Sequence, residues 1–310
     1  MKLTKDKQTV LFHDETFGRT VQQPGKVGEY ELSTLLSFDA GSYHPNQRFC
    51  KEPITEFSTV IDCCQRNSVW MNVEIKPELN TDVETGRIVA EQVQQAFAED
   101  ISTYRNVRDS GNTALARELI HKLPLISSFS FTALMNAKLS APDLPRAFLI
   151  EDLSKTVDWR EKLVELEAVA VHTNVKTLTQ QDADEIKARG YALMCFTVNN
   201  EEDHQRVVSY GADSICTDNL DMFKYLTTLD DFMDVPVSPL PLGQPLSVEL
   251  LSPSEDNTAV NTVFGSLATS RSTPHHLCSL ADMAANTHLS HSSSMPRMRS
   301  ASMPILAIDG

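Results

Sequence analysis

The sequence predicts an α/β fold built on a parallel sheet, with three observations behind the prediction. Short apolar runs alternate with segments of helical spacing over most of residues 68–226, as in sheets whose strands are buried on both faces. Six of these runs end in polar side chains, which is typical of (β/α)8 barrels, where the active site lies at the strand ends. There is no glycine-rich phosphate loop to support an open doubly wound sheet. The barrel is therefore preferred and the doubly wound sheet is the alternative.

Composition excludes several classes of protein. The chain has 310 residues, a formal net charge of −15 and 41% hydrophobic residues, which argues against non-specific binding to nucleic acid or anionic membranes. No apolar run approaches the roughly 18 residues of a membrane span, and the N-terminus lacks the apolar core of a secretory signal. The six cysteines match neither a zinc ribbon nor a disulfide framework. We therefore expect a reducing, cytoplasmic location.

The charge distribution divides the chain in two. After Lys224 there is no lysine, and from about Thr228 the chain collects eight of its fifteen prolines and many Ser and Thr. Such a composition cannot bury a core. We expect a folded domain over 1–227 and a disordered, low-complexity tail over 228–310.

The elements of the predicted domain follow in chain order. Residues 1–14 are predicted to be the tip and return arm of a hairpin, because a polar turn precedes the short β run that reaches His13. Residues 15–55 are expected to be irregular and 99–113 to form a loop. Apolar runs predict strands at 68–75, 123–129, 146–151, 168–174, 192–199 and 214–218. Helical spacing predicts helices at 56–66, 82–98, 132–139, 159–166, 180–188, 201–210 and 220–226.

Each predicted strand ends in residues able to contribute to a site. These are Glu74 and Lys76, Ser127 and Ser128, Glu151, His172 and Asn174, Thr197 and Asn199, and Thr217 and Asp218. A barrel needs eight strands, and the chain supplies six together with the arm that reaches His13. The predicted barrel is therefore incomplete at its front.

Glu74 and Lys76 are the most informative of these residues. Alternate side chains of a strand share a face, so the carboxylate and the ammonium point the same way, and Pro77 ends the strand just beyond them. Buried charges are costly unless they are paired or bind something. The two residues are either a metal carboxylate beside a phosphate-binding cation or an ordinary ion pair at a strand end.

An ordered set of motifs over residues 1–226 resembles the glycerophosphodiester phosphodiesterase family of metal-dependent (β/α)8 barrels, in its bacterial-type cytosolic branch. The set comprises Leu3-Thr4-Lys5-Asp6, Val10-Leu11-Phe12-His13-Asp14, Gly18-Arg19-Thr20, Asp39-Ala40-Gly41-Ser42, Asn72-Val73-Glu74-Ile75-Lys76-Pro77, Ser127-Ser128-Phe129, Phe196-Thr197-Val198-Asn199 and Gly211-Ala212-Asp213-Ser214-Ile215-Cys216-Thr217-Asp218.

The resemblance implies hydrolysis of a glycerophosphodiester to glycerol 3-phosphate and an alcohol, within lipid metabolism. In that family two histidines exchange protons with the substrate, and three carboxylates bind a divalent cation. His13 corresponds to the second histidine, Glu74 to the third carboxylate, and Lys76 to a phosphate-binding lysine. Hard oxygen ligands favour Mg²⁺ or Ca²⁺.

The remaining catalytic residues of the family would precede Met1. They belong to a His-Arg-Gly and a Glu-x-Asp, so the chain is expected to lack its first strand-helix unit and most of the second strand. A start assigned to an internal Met is the simplest account, and a truncated isoform or inactive paralogue is the other. Chain 1–310 is then expected to be inactive or nearly so. The alternative function is a non-catalytic binding or regulatory protein on a degenerate barrel, with a partner-recruiting tail.

Further residues carry weaker predictions. Phe129 is a candidate apolar wall for the substrate or a core residue, and His172 is a pocket histidine or a structural one. Asn199 is a candidate substrate ligand or a residue that holds the rim. In the tail, the segment around Ser302 resembles a phosphoserine motif read by 14-3-3 proteins.

Overall fold

A computed structural model describes residues 1–45 and 49–222. Within them a parallel sheet of six strands runs in chain order, each strand beside the one before it. The strands are β3 Asn72–Glu74, β4 Leu125–Ser128, β5 Arg146–Ile150, β6 Ala170–Asn174, β7 Ala192–Phe196 and β8 Ser214–Ile215. Sequential parallel strands joined by helices are the arrangement of a (β/α) barrel, so the predicted fold class is confirmed.

Helices connect and cover these strands. They are α1 Leu32–Leu35, α2 Phe57–Asn67, α3 Asp82–Ala96, α4 Ala98–Asp109, α5 Thr113–Ile120, α6 Phe131–Ser140, α7 Trp159–Leu166, α8 Gln180–Ala188 and α9 Glu201–Ser209, with a 3-10 turn at Val27–Glu29. Helix α3 packs closely on α6, where a Cβ added to Gly86 would lie 2.2 Å from the Ala133 carbonyl oxygen. Only glycine permits the two backbones to come so near.

Strand alternation gives the sheet two different faces. The outer face carries Val73, Ile126, Phe148 and Ile150, which join the main apolar core beneath the helices. On the inner face Leu125, Ala147, Ala170 and Ala192 form a smaller cluster next to Trp70. The inner cluster is built from small side chains, and the polar residues described below share its face.

The N-terminal residues form the predicted hairpin. β1 Lys2–Leu3 pairs antiparallel with β2 Thr9–Val10 around the polar turn. Leu11 N–H then donates to the Thr55 carbonyl at 2.9 Å, which attaches the return arm to the segment before α2.

The prediction of a loop over 99–113 was wrong. α4 occupies most of that segment, although Ile101 is its one fully buried residue. Two arginines of α4, Arg105 and Arg108, donate to Asp143 at 2.8 and 2.5 Å. These contacts span more than 30 residues, so the polar composition of the segment does not reveal them.

Other predictions differ in length or lie outside the described residues. β8 is shorter than predicted, since Cys216 to Asp218 follow it as a loop. The tail with Ser302, and most of the helix predicted at 220–226, are outside the described residues. Within residues 1–45 and 49–222 no helix is long and apolar enough to span a membrane, and the five cysteines there are free thiols.

Candidate active site

Glu74 and Lys76 lie together at the carboxyl end of β3. The Lys76 Nζ is 3.4 Å from Glu74 Oε1, and about a fifth of each side chain is exposed. Glu74 Oε1 itself is buried and accepts no hydrogen bond from the described residues. The contact is therefore an ion pair with poor hydrogen-bond geometry, which leaves both groups able to take another ligand.

Met1 lies beside this strand end. Its α-amino group donates to the Glu74 carbonyl, and its own carbonyl accepts from Lys76 N–H at 2.9 Å. These two bonds follow the hydrogen-bonding pattern of neighbouring parallel strands and place Met1 opposite Ile75. Burial lowers the pKa of the α-amino group to about 5, against the opposing effect of Glu74.

The described residues do not fit a divalent cation by themselves. Mg²⁺ and Ca²⁺ take several oxygen ligands, usually with more than one carboxylate. At the end of β3 the carboxylate that could bind a cation is that of Glu74, and Lys76 already faces it. Across residues 1–45 and 49–222 no three His, Cys, Asp or Glu side chains are grouped closely enough to hold a metal.

His13 follows the return arm of the hairpin and is oriented by its neighbour. Its Nδ1 lies 3.0 Å from Asp14 Oδ1. Arg19 clamps the same carboxylate from the other side, with Nε and Nη2 at 2.8 and 2.9 Å. The Arg19 hydrogen bonds are the main reason that the pKa of Asp14 falls to about 2. A fixed, ionised Asp14 can hold the His13 ring in one orientation.

Two further candidates named from the sequence, Phe129 and Asn199, lie just after the carboxyl ends of β4 and β7, on the rim of the sheet. Phe129 is 43% exposed and stacks edge-on against Phe196, with ring centroids 5.7 Å apart. Asn199 is also exposed, but its amide is occupied: Nδ2 donates to Asp218 at 2.8 Å and Oδ1 accepts from Asp218 N–H at 2.9 Å. The structure thus places Phe129 on an accessible surface and gives Asn199 a role in holding a loop.

His172 lies deeper than the rim, on the inner face of β6. It is 1% exposed, and burial lowers its pKa to about 3. With Asn72, it lines an internal cavity of about 10 Å³ whose walls are mainly apolar. Its Nδ1, Asn72 Oδ1 and Ser127 Oγ are all buried without a hydrogen-bond partner within the part of the chain described here.

Register shows that these polar groups share one face with Glu74. Glu74 pairs with Ser127 across β3 and β4, and neighbours in a parallel ladder point the same way. Asn72 is two residues before Glu74 on the same strand. The inner face below the Glu74–Lys76 pair therefore carries polar side chains among mainly apolar ones. The sequence analysis did not single out Asn72, although its position two residues before Glu74 already indicated this face.

Lys2 is the most consequential residue that the sequence analysis missed. It is 3% exposed, although lysine is rarely buried. Burial is the main cause of its lowered pKa, Lys76 lowers it further, and Glu78, Glu15 and Asp14 act in the opposite sense. Lys2 is thus electrostatically linked both to the strand end with Lys76 and to the segment after His13. Its position in the short apolar run of the hairpin was the available signal.

This arrangement is suited to an anionic group at the end of β3. Lysines supply charge for a phosphate, and a carboxylate-oriented histidine can transfer a proton. The convergence of His13 with Glu74 and Lys76 on one pocket remains a prediction.

Comparison with known proteins identifies the family. Residues 1–222 match the Glycerophosphoryl diester phosphodiesterase family. The chain belongs to this family. That assignment confirms the resemblance seen in the motifs, and its named members are phosphoric diester hydrolases.

Individual relatives agree with it. The chain is 26% identical over 219 residues to a glycerophosphodiester phosphodiesterase of Caldanaerobacter subterraneus subsp. tengcongensis, a match covering 71% of this chain and 80% of the relative. A glycerophosphodiester phosphodiesterase of Bacillus subtilis is 23% identical over 235 residues, covering 72% and 73%.

A solved structure supports the fold. The phosphodiesterase of Oleispira antarctica, in complex with the product sn-glycerol-3-phosphate, has a TM-score of 0.54 at 24% identity, covering 70% of this chain and 78% of its own.

Proposed function

We propose that the carboxyl end of the sheet is the phosphodiester-binding part of a glycerophosphodiester phosphodiesterase site, and that polypeptide 1–310 alone hydrolyses such substrates weakly or not at all. Lys76 binds a phosphate oxygen, His13 is one of two proton-transfer groups, and Phe129 borders the glycerol or alcohol moiety. His172 contributes to substrate binding from beneath the pocket, and Asn199 contributes by holding the rim loop that follows β8. The family match over residues 1–222 supports the substrate class.

The expected weakness rests on the donor set. A phosphodiester is anionic and its leaving group is poor, so hydrolysis requires charge neutralisation and separate proton donation and acceptance. Glu74 is the residue of this chain that the family resemblance assigns to a divalent metal, Mg²⁺ or Ca²⁺. One carboxylate paired with a lysine does not bind such a cation firmly, and one histidine does not serve efficiently as both acid and base.

The test is an assay of the purified chain. Glycerophosphocholine is incubated with polypeptide 1–310 in Mg²⁺ or Ca²⁺, with and without EDTA, and released choline is measured. We expect no EDTA-sensitive turnover above that of a Glu74→Gln variant. Robust turnover that EDTA abolishes and Glu74→Gln removes would contradict the proposal.

A reducing, cytoplasmic site of action is part of the same proposal. It is supported by free thiols that are mostly buried, since Cys63, Cys64, Cys195 and Cys216 are each 5% exposed or less.

A further inference from the structure

We propose that Lys2 and Lys76 together form a two-lysine binding site for a phosphate group. The choice of phosphate as ligand rests on the proposed function, whereas the pairing of the two lysines is read from the structure. Lys2 is therefore a further ligand-binding residue, contributed by the hairpin and not by the parallel sheet.

The backbone brings the two side chains to one face. The hydrogen bonds of Met1 with Glu74 and Lys76 put Met1 opposite Ile75 in parallel register. Met1 and Ile75 both contact the main apolar core beneath the helices. One residue further, Lys2 and Lys76 are therefore neighbours on the opposite, inner face, where Glu74 also points.

Lys2 forms no close ion pair with a carboxylate of residues 1–45 and 49–222. Its ammonium makes no hydrogen bond or ion pair with any residue that the structure describes, even though the side chain is 3% exposed. A buried cation without a partner is costly, and the cost falls when an anion binds. A lysine that is 3% exposed and forms no hydrogen bond or ion pair with the described residues, on the same face as Lys76, points to a site for an anion.

Of the carboxylates whose charges act on Lys2, Glu78 and Asp14 are already engaged, whereas Glu15 is exposed to solvent and acts on Lys2 as a nearby charge. Glu78 accepts from Gly28 N–H at 3.0 Å and from Lys26 Nζ at 3.1 Å. Asp14 is held by Arg19, and Glu74 faces Lys76. An external anion can therefore pair with Lys2 without breaking any of these contacts.

Glu74 explains why one lysine is not enough. Its carboxylate lies 3.4 Å from Lys76 and repels an incoming phosphate. A second cation on the same face offsets that repulsion, and the two ammonium groups with Glu74 then carry a net charge of +1 that attracts the anion. Lysines bind phosphate as point charges and need no bidentate geometry.

The test is binding to the full chain without metal. Isothermal titration at pH 7.5, in low salt with EDTA, compares sn-glycerol 3-phosphate with inorganic phosphate. Lys2→Met and Lys76→Met should each weaken binding on the order of tenfold or more. The matched control is Lys5→Met, an exposed lysine of the same hairpin turn, which should leave the affinity within about twofold, since it changes only distant charge.

Three outcomes would overturn the inference: no binding of either anion to the wild-type chain, unchanged binding by Lys2→Met, or an equal loss in Lys5→Met. If circular dichroism shows that Lys2→Met is unfolded, Lys2→Arg and a crystal structure with sn-glycerol 3-phosphate decide instead. Lys2→Arg should retain binding, and the phosphate should lie within hydrogen-bonding distance of Lys2 Nζ. A phosphate bound elsewhere in that structure would contradict the site.

The two ligands and the separate hydrolysis assay keep the proposals distinguishable. Tighter binding of sn-glycerol 3-phosphate than of inorganic phosphate indicates that the glycerol part is also recognised, and equal binding indicates a site for phosphate alone. Strong EDTA-sensitive turnover would contradict the proposed function without affecting the lysine pair. Loss of the lysine pair as a binding site would leave the hydrolysis result unchanged.

Discussion

The two faces of the parallel sheet are built from the same strands but differ in composition and in role. The outer face is apolar and covered by helices, with Ile126 and Ile150 among its fully buried residues. The inner face contains Asn72, Ser127 and His172, whose buried polar atoms lack partners in the described structure. The comparison shows that the same strands can bury apolar side chains on one set of alternate residues and unsatisfied polar groups on the other.

The largest effect is expected on the outer face. Ile150→Ala should lower the free energy of unfolding by about 2–5 kcal/mol, because it removes buried methyl groups and leaves a cavity. Val164→Ala is the control, since Val164 on α7 is 67% exposed and should change stability by less than about 0.5 kcal/mol. Chemical denaturation measures both. Equal effects would contradict the view that the helix-covered face holds the fold together.

The next largest effect is expected on the inner face, where the contribution of His172 to stability depends on pH. The pKa of His172 is about 3 in the folded chain, against an ordinary value of 6.5 in the unfolded chain. As the pH falls, the unfolded chain therefore binds a proton at this residue before the folded chain does. The stability contributed by neutral His172 is therefore full above about pH 6.5 and is lost progressively as the pH falls towards 3.

The measurement is unfolding free energy against pH for wild type and His172→Leu. Between pH 6.5 and 4 the wild-type curve should fall more steeply, by up to about 1.4 kcal/mol per pH unit. Since acidic residues titrate in both proteins, only the difference reports on His172. Parallel curves would show that the imidazole is protonated or solvated in the folded protein.

The smallest effect is expected for the two neighbouring serines at the end of β4, Ser127 and Ser128, which point to opposite faces of the sheet. Ser128 Oγ donates to the Ile75 carbonyl at 2.6 Å and accepts from Ser130 N–H at 3.0 Å. Ser127 Oγ is equally buried but has no partner among the described residues. Ser128→Ala should destabilise the chain by about 1–3 kcal/mol because it removes the hydroxyl partner of the buried Ile75 carbonyl and of the partly buried Ser130 N–H, whereas Ser127→Ala should be nearly neutral.

Thermal and chemical unfolding of the two alanine variants provide the measurement, and each serves as the other's matched control. A loss in Ser127→Ala as large as that in Ser128→Ala would mean that the inner hydroxyl contributes to stability. The inner face would then resemble the outer one.

Much of the fold was predictable because its signals are local. Apolar runs and helical spacing placed the six strands and most helices near their observed bounds. The polar segment of α4 was missed because its stabilising contacts, from Arg105 and Arg108 to Asp143, are remote in sequence. At the site, alternation placed Glu74 and Lys76 together, but it could not show that the hairpin start lies beside them, since the hydrogen bonds of Met1 with Glu74 and Lys76 cross more than 70 residues.

The sequence by itself determined the strand–helix alternation, the polar strand ends and the Glu74–Lys76 pair, because side-chain periodicity and strand composition act over neighbouring residues. The tertiary structure decided which polar groups have partners. Glu78 accepts a hydrogen bond from Gly28, 50 residues away, while Lys2 forms no close ion pair within the described part of the chain and His172 is buried. Burial and pairing are properties of surroundings assembled from distant segments, so they arise only when the chain has folded.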